Sequence, residues 1–92
     1  MRRMNLREVI ERAKQGVGEL TPLKLNTVIG ASKDEESGGW RVLVELLEKT
    51  SIPDSMDLLG IYEILLTAEG EIVRFERKGM RRRGEVEQRE VY

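Results

Sequence analysis

The chain contains no cysteine and no histidine. The first absence excludes disulfide stapling and thiolate catalysis, and the two together exclude Cys/His zinc sites and imidazole acid–base chemistry. Small secreted domains usually lean on disulfides, so a cytoplasmic location is expected. Long apolar runs are missing as well. None approaches the roughly 20 residues that cross a bilayer. Met1-Arg2-Arg3 leads into charged, amphipathic sequence with none of the apolar core of a signal peptide. No membrane partner is expected. Neither sign of charge dominates: sixteen basic against seventeen acidic side chains leave a net charge of -1, which argues against a general nucleic-acid binder. A chain of 92 residues suits one small domain that buries about 60–65% of its unfolded surface. That leaves little room for a deep, enclosed active site, and neither catalysis nor a cofactor or metal is expected.

What the sequence does contain is clear periodicity. Asn5-Leu6-Arg7-Glu8 has the form of a capping box. Leu6, Val9, Ile10, Ala13 and Val17 then recur at the spacing of one helical face, with Gly16 and Gly18 as the expected stop. Thr21-Pro22 breaks the chain, and from Leu23 the period becomes two: Leu23, Leu25, Thr27, Ile29 and Ala31 form one face of a first strand. The polar turn Asp34 to Gly39 delivers a second strand with Trp40, Val42, Val44 and Leu46 inward and Arg41, Leu43, Glu45, Leu47 and Lys49 opposite. A third strand from about Leu58 to Leu66 puts Tyr62, Ile64 and Leu66 on one face and Ile61, Glu63 and Leu65 on the other. The turn Ala68-Glu69-Gly70 leads to a fourth, with Val73 and Phe75 inward and Arg74 and Glu76 outward.

This order predicts an α+β fold: an N-terminal helix packed on a four-stranded antiparallel meander sheet, in two layers. The domain is expected over residues 1–80, with a charged, flexible C-terminal tail over 81–92. Leu43, Leu47, Ile61 and Leu65 fall on the sheet face that the helix leaves open, where polar residues are the norm, and form a candidate docking patch. A C-terminal segment or a second copy of the chain, as a homodimer, would also cover them. Glu45 and Glu63 on that face can pair with Arg41 or Arg74 across strands. Gly60 is expected to make room for Trp40 across the sheet.

The ordered string from Gly39-Trp40 through Val42, Val44-Glu45, Ile52-Pro53-Asp54, Asp57, Leu59-Gly60, Tyr62-Glu63 and Glu69-Gly70-Glu71 to Arg83-Gly84 resembles the gas vesicle synthesis proteins of the GvpO type. The resemblance covers about half the chain and its order of elements. The chain departs from the family pattern in a basic run, Lys78 to Arg83, that holds Met80 and no aromatic residue, and in Leu65 at a position that is usually polar. The resemblance implies a cytoplasmic, gas-vesicle-associated accessory protein that is not an enzyme. It would act in vesicle assembly through contacts with other gas vesicle proteins, shell or accessory.

Two motifs have both structural and functional readings. Pro53 fixes its own backbone, and Asp54, Ser55 and Asp57 can hydrogen-bond nearby N–H groups, so turn chemistry alone explains the loop. The functional reading is a partner-binding tip that presents Asp54, Met56 and Asp57; two aspartates without a third ligand or a histidine make a poor metal or acid–base site. The basic residues Arg77, Lys78, Arg81, Arg82 and Arg83 read as a solvated strand end, as a surface for an acidic protein, or as a phosphate-binding run in a small regulatory protein. Nucleic acid is disfavoured, because Glu85, Glu87 and Glu90 offset the charge and no aromatic residue is there to stack. A small-molecule module would need a cavity beneath the helix, which so short a chain hardly permits.

Overall fold

The computed structural model describes residues 4–84. Helix α1 (Leu6–Leu20) begins at the predicted capping box: Glu8 N donates to Asn5 Oδ1 and Asn5 N to Glu8 Oε1, both at 2.9 Å. Contrary to expectation, α1 runs straight through Gly16 and Gly18. It stops where the proline does: Thr21 N donates a last bond to Val17 O, and Thr21 takes the extended backbone that a following proline imposes. Gly16 has a different role. A Cβ there would collide with Ile72 Cδ1, so the missing side chain lets the helix press onto the sheet.

Four further elements are strands, β1 (Lys24–Lys33), β2 (Trp40–Lys49), β3 (Leu58–Leu66) and β4 (Ile72–Arg82). They form one antiparallel sheet in the order β1-β2-β3-β4. The predicted α+β meander is the observed fold. Val9, Ala13 and Val17 of α1 meet Trp40, Val42, Val44 and Leu46 of β2 and Ile64 and Leu66 of β3 in one core. Each fully buried valine or leucine there contributes about 1.5–3 kcal/mol.

The edge strands differ from strict alternation because each carries bulges, and every inserted residue flips the facing of the residues C-terminal to it. In β1 the register shifts at Asn26 and at Ile29. The inward set is therefore Leu25, Val28 and Ala31, while Thr27 and Ile29, expected inside, are exposed. In β4 the register skips Val73 and Lys78. Ile72 and Phe75 pack on the core, and Val73, expected inward, is turned out to 63% exposure.

Strand β4 also continues well beyond Arg77, where apolar periodicity ends, because its ladder to β3 holds as far as Arg82 opposite Leu58. Of the tail expected over 81–92, Arg81 and Arg82 close the strand. Arg83 N donates to Asp57 O and Gly84 N to Ser55 O, each at 2.8 Å; residues 85–92 lie outside the described residues. Gly60 does not serve Trp40. It sits between Leu46 and Met80, and a Cβ there would strike the Glu48 carboxylate and the Tyr62 ring. The glycine makes room for that polar pair.

Candidate functional site

The pairing of β2 with β3 brings the predicted patch residues together on the outer face. Down the ladder, Arg41 lies opposite Leu65, Leu43 opposite Glu63, Glu45 opposite Ile61, and Leu47 opposite Leu59. The apolar residues thus form a zigzag stripe between the central strands. The stripe is recessed: Ile61 is buried, Leu43, Leu47 and Leu65 are half-buried, and Leu59, absent from the expected set, is completely buried. The long charged side chains of Arg41, Glu63 and Lys78 line a hollow together with Leu43 and Ile61.

Three acidic residues sink into this side of the molecule, and each receives a cation from elsewhere. Glu45, 4% exposed, accepts from Arg81 Nε at 2.6 Å and Nη2 at 3.2 Å, and from Asn26 Nδ2 at 3.1 Å. Glu63 accepts from Arg41 Nε at 3.0 Å and faces Lys78 Nζ at 3.7 Å. The expected Arg41–Glu63 pair is present, whereas Glu45 is served by Arg81. Asp57 accepts from Ser51 N at 2.7 Å and Arg83 Nε at 3.2 Å, and Arg83 Nη1 reaches Asn26 Oδ1 at 3.3 Å. Asp57, Arg83, Asn26, Glu45 and Arg81 therefore form one polar chain that closes the end of the outer face nearest the β2–β3 loop.

The basic run and the loop are placed differently from a free binding tip. Arg77 lies across the inner face with Nη1 at 3.7 Å from Glu48 Oε2, and Arg82 Nη1 donates to Met56 O at 3.4 Å. Arg77, Arg81, Arg82 and Arg83 thus all make contacts within the chain. Asp54 opens a 3-10 turn (Asp54–Met56) and is exposed; Met56 is 44% exposed, whereas Asp57 is buried. Ile52 before Pro53 is wholly exposed.

At the other end the outer face stays open. Arg41, Leu43, Ile61, Glu63 and Lys78 line one hollow, and Leu65, Thr67 and Val73 line another with the β1–β2 turn. On the flanking strands Gly30 lies opposite Leu43 and Gly79 opposite Ile61. A Cβ at either glycine would meet nothing within 4 Å, so the groove is low-walled on both sides. Strict alternation already puts Gly30 on the set opposite Leu25 and Ala31; sequence reasoning missed Gly79, because the bulge at Lys78 decides which face it meets.

It also missed a cluster on the inner face. Tyr62, expected as plain core, stacks on Phe75 with ring centroids 5.0 Å apart. Its hydroxyl donates to Glu48 Oε2 at 2.5 Å. Burial, then the hydrogen bond and charge of Glu48, raise the Tyr62 pKa against the opposing pull of Arg77. Among the described residues, no group of three or more Asp or Glu side chains is placed to hold a metal ion, and no helix is long and apolar enough to cross a membrane.

Comparison with known proteins adds a family. The model described as gas vesicle synthesis protein GvpO matches residues 1–87. The chain is 32% identical over 77 residues to gas vesicle protein O1 of Halobacterium salinarum, covering 84% of this chain and 63% of that one. It is 34% identical over 77 residues to gas vesicle protein O of Haloferax mediterranei, covering 84% and 54%. With gas vesicle protein O of a Streptomyces species it shares 36% identity over 76 residues, covering 83% and 58%. The chain thus spans little more than half the length of these relatives. No solved structure matches it.

Proposed function

Because the chain belongs to the gas vesicle synthesis protein GvpO family, we propose that it is an accessory factor in gas vesicle formation, working in the cytoplasm by holding another gas vesicle protein and not by catalysis. The observation that carries the binding reading is the outer sheet face, an apolar stripe left open between low glycine flanks while the helix occupies the opposite face. A monomer gains nothing from an uncovered apolar face on a two-layer fold, and such faces usually mark an interaction site. The regulatory alternative, nucleic-acid binding by Arg77 to Arg83, draws less support. Arg77, Arg81 and Arg83 are held against Glu48, Glu45 and Asp57, so phosphate contacts would compete with intrachain pairs.

The test is complementation. In a vesicle-forming host that lacks its own protein of this family, the chain is expected to restore vesicles, and Gly79→Tyr, which fills the groove flank, to fail at normal protein levels. Undiminished vesicles in the host without any such protein would overturn the assembly role. Full activity of Gly79→Tyr would overturn the outer face as the working surface.

A further inference from the structure

The end of β4 closes one end of the outer face, and we infer that it is a detachable strap. Residues 79–84 lift from β3 while the rest of the fold stays intact, and the apolar floor then extends to Leu59. The opening stands apart from the protein-binding reading above; its use, to admit a longer partner, rests on that reading. The first argument is that β4 is held in two different ways. Its first half is anchored by side chains in the core: Ile72 and Phe75 pack there, and Phe75 stacks on Tyr62. The register then skips Lys78, a bulge that interrupts the ladder between the two halves. Beyond it come Gly79, Met80, Arg81, Arg82 and Arg83. Met80 is 42% exposed, and none of these residues belongs to the apolar core.

Apart from its ladder to β3, the second half is held by polar contacts. Arg81 pairs with Glu45 and Arg83 with Asp57. Arg82 Nη1 donates to Met56 O, Arg83 N to Asp57 O and Gly84 N to Ser55 O. Segments with few buried apolar contacts open separately from the core that carries them. The second argument is what lies beneath. Leu59 stands opposite Arg81 and Ile61 opposite Glu45, so the Arg81–Glu45 bridge crosses β3 at those two residues. Leu59 is completely buried although it belongs to the outer face. Lifting the strap returns both guanidinium groups and both carboxylates to water, which recovers the desolvation that pairing cost them. It also uncovers Leu59 beside Leu47, in line with Ile61, Leu43 and Leu65.

The chain has no cysteine, so a single introduced thiol reports on its own site. Leu59→Cys places one beneath the strap and Ile64→Cys one in the core, both at completely buried positions. In the full chain, a small thiol reagent should label Leu59→Cys at least about tenfold faster than Ile64→Cys. That labelling should depend only weakly on urea, because a local opening exposes little surface. Val9→Ala weakens the core at the helix and leaves the strap untouched. It should speed labelling of Ile64→Cys about tenfold and leave that of Leu59→Cys unchanged. Equal labelling of the two thiols, or a parallel response to Val9→Ala, would overturn the strap. Should either cysteine variant fail to fold, amide exchange of the parent and of Val9→Ala decides in its place. The protected amides of residues 79–84 should exchange at least about tenfold faster than those of Val42 and Val44, at a rate that Val9→Ala does not change. Exchange of all of them through one global opening would refute the proposal. A strap that never lifts leaves the outer face to be judged by complementation with Gly79→Tyr, so the two readings fail separately.

Discussion

Arg81 on β4 reaches over β3 to clasp Glu45 on β2, with Nε and Nη2 on the two carboxylate oxygens at 2.6 and 3.2 Å. The pair ties together strands that are not neighbours, and it neutralises a carboxylate with 4% exposure. Removing the cation alone leaves that charge buried and unmatched. Arg81→Met should therefore cost about 2–4 kcal/mol, towards the lower end because the Arg81 side chain keeps some contact with water. The double variant Arg81→Met/Glu45→Leu should recover most of the loss, since an apolar pair of similar volume fits the stripe. Urea unfolding of the single and double variants checks both statements, and an additive double variant would refute the coupling.

The two aspartates of the β2–β3 loop should separate cleanly. Asp57 is buried and binds Ser51 N and the Arg83 guanidinium, so it fixes both the start of β3 and the end of β4. Asp57→Ala should lose about 2 kcal/mol and speed amide exchange at Ser51 and Arg83. Asp54 is exposed at the start of the 3-10 turn, and Asp54→Ala should stay within about 0.5 kcal/mol of the parent. Equal effects at the two positions would show that the loop is held by something other than the Asp57 network.

The central elements were legible in the sequence, and the reason is physical. α1, β2 and β3 each bury one face on a common core, so Val9, Val42, Val44 and Ile64 had to repeat at the period of their element. The edge strands have only one neighbour and tolerate inserted residues. Nothing in the alternation of β1 or β4 marks Asn26, Ile29, Val73 or Lys78 as bulges, and the inward sets shifted accordingly. The patch residues Leu43, Leu47, Ile61 and Leu65 were readable from parity alone, because β2 and β3 are the central strands. What covers part of the patch was not: the partners of Glu45 and Asp57 come from Arg81 and Arg83, whose positions depend on β4 continuing past the end of its apolar pattern.

The two glycines inside α1 should respond in opposite directions to the same change. Alanine is about 1 kcal/mol better than glycine in a helix interior. At Gly18 a Cβ meets nothing within 4 Å, so Gly18→Ala should stabilise the protein by about 0.5–1 kcal/mol. At Gly16 the new methyl would run into Ile72, which packs on the core from the edge strand. Gly16→Ala should be destabilising by about 1–3 kcal/mol despite its better helix propensity, and shortening the obstacle with Ile72→Val should return part of that loss. Thermal melts of the four proteins decide it; stabilisation by Gly16→Ala would mean that the helix does not press on β4.

Tyr62 gives the fold a stability limit at high pH. Its folded pKa is raised above the ordinary value of 10.0, first by burial and then by the Glu48 carboxylate that its hydroxyl binds, with Arg77 opposing. The folded state therefore holds the phenolic proton more tightly than the unfolded chain does. Below pH 10 both states are protonated and the hydrogen bond contributes fully. As pH rises from 10.0 towards the folded pKa, the unfolded chain releases its proton first and stability falls. Lysines titrate in the same range, so the decisive quantity is the difference between the parent and Tyr62→Phe. That difference should be about 1–2 kcal/mol in favour of the parent at neutral pH, the worth of a hydrogen bond to a charged acceptor. It should shrink as the phenol of the unfolded parent ionises. Urea midpoints of the two proteins measured from neutral pH to pH 11 test the sign, and a difference that stays constant or grows above pH 10 would contradict it.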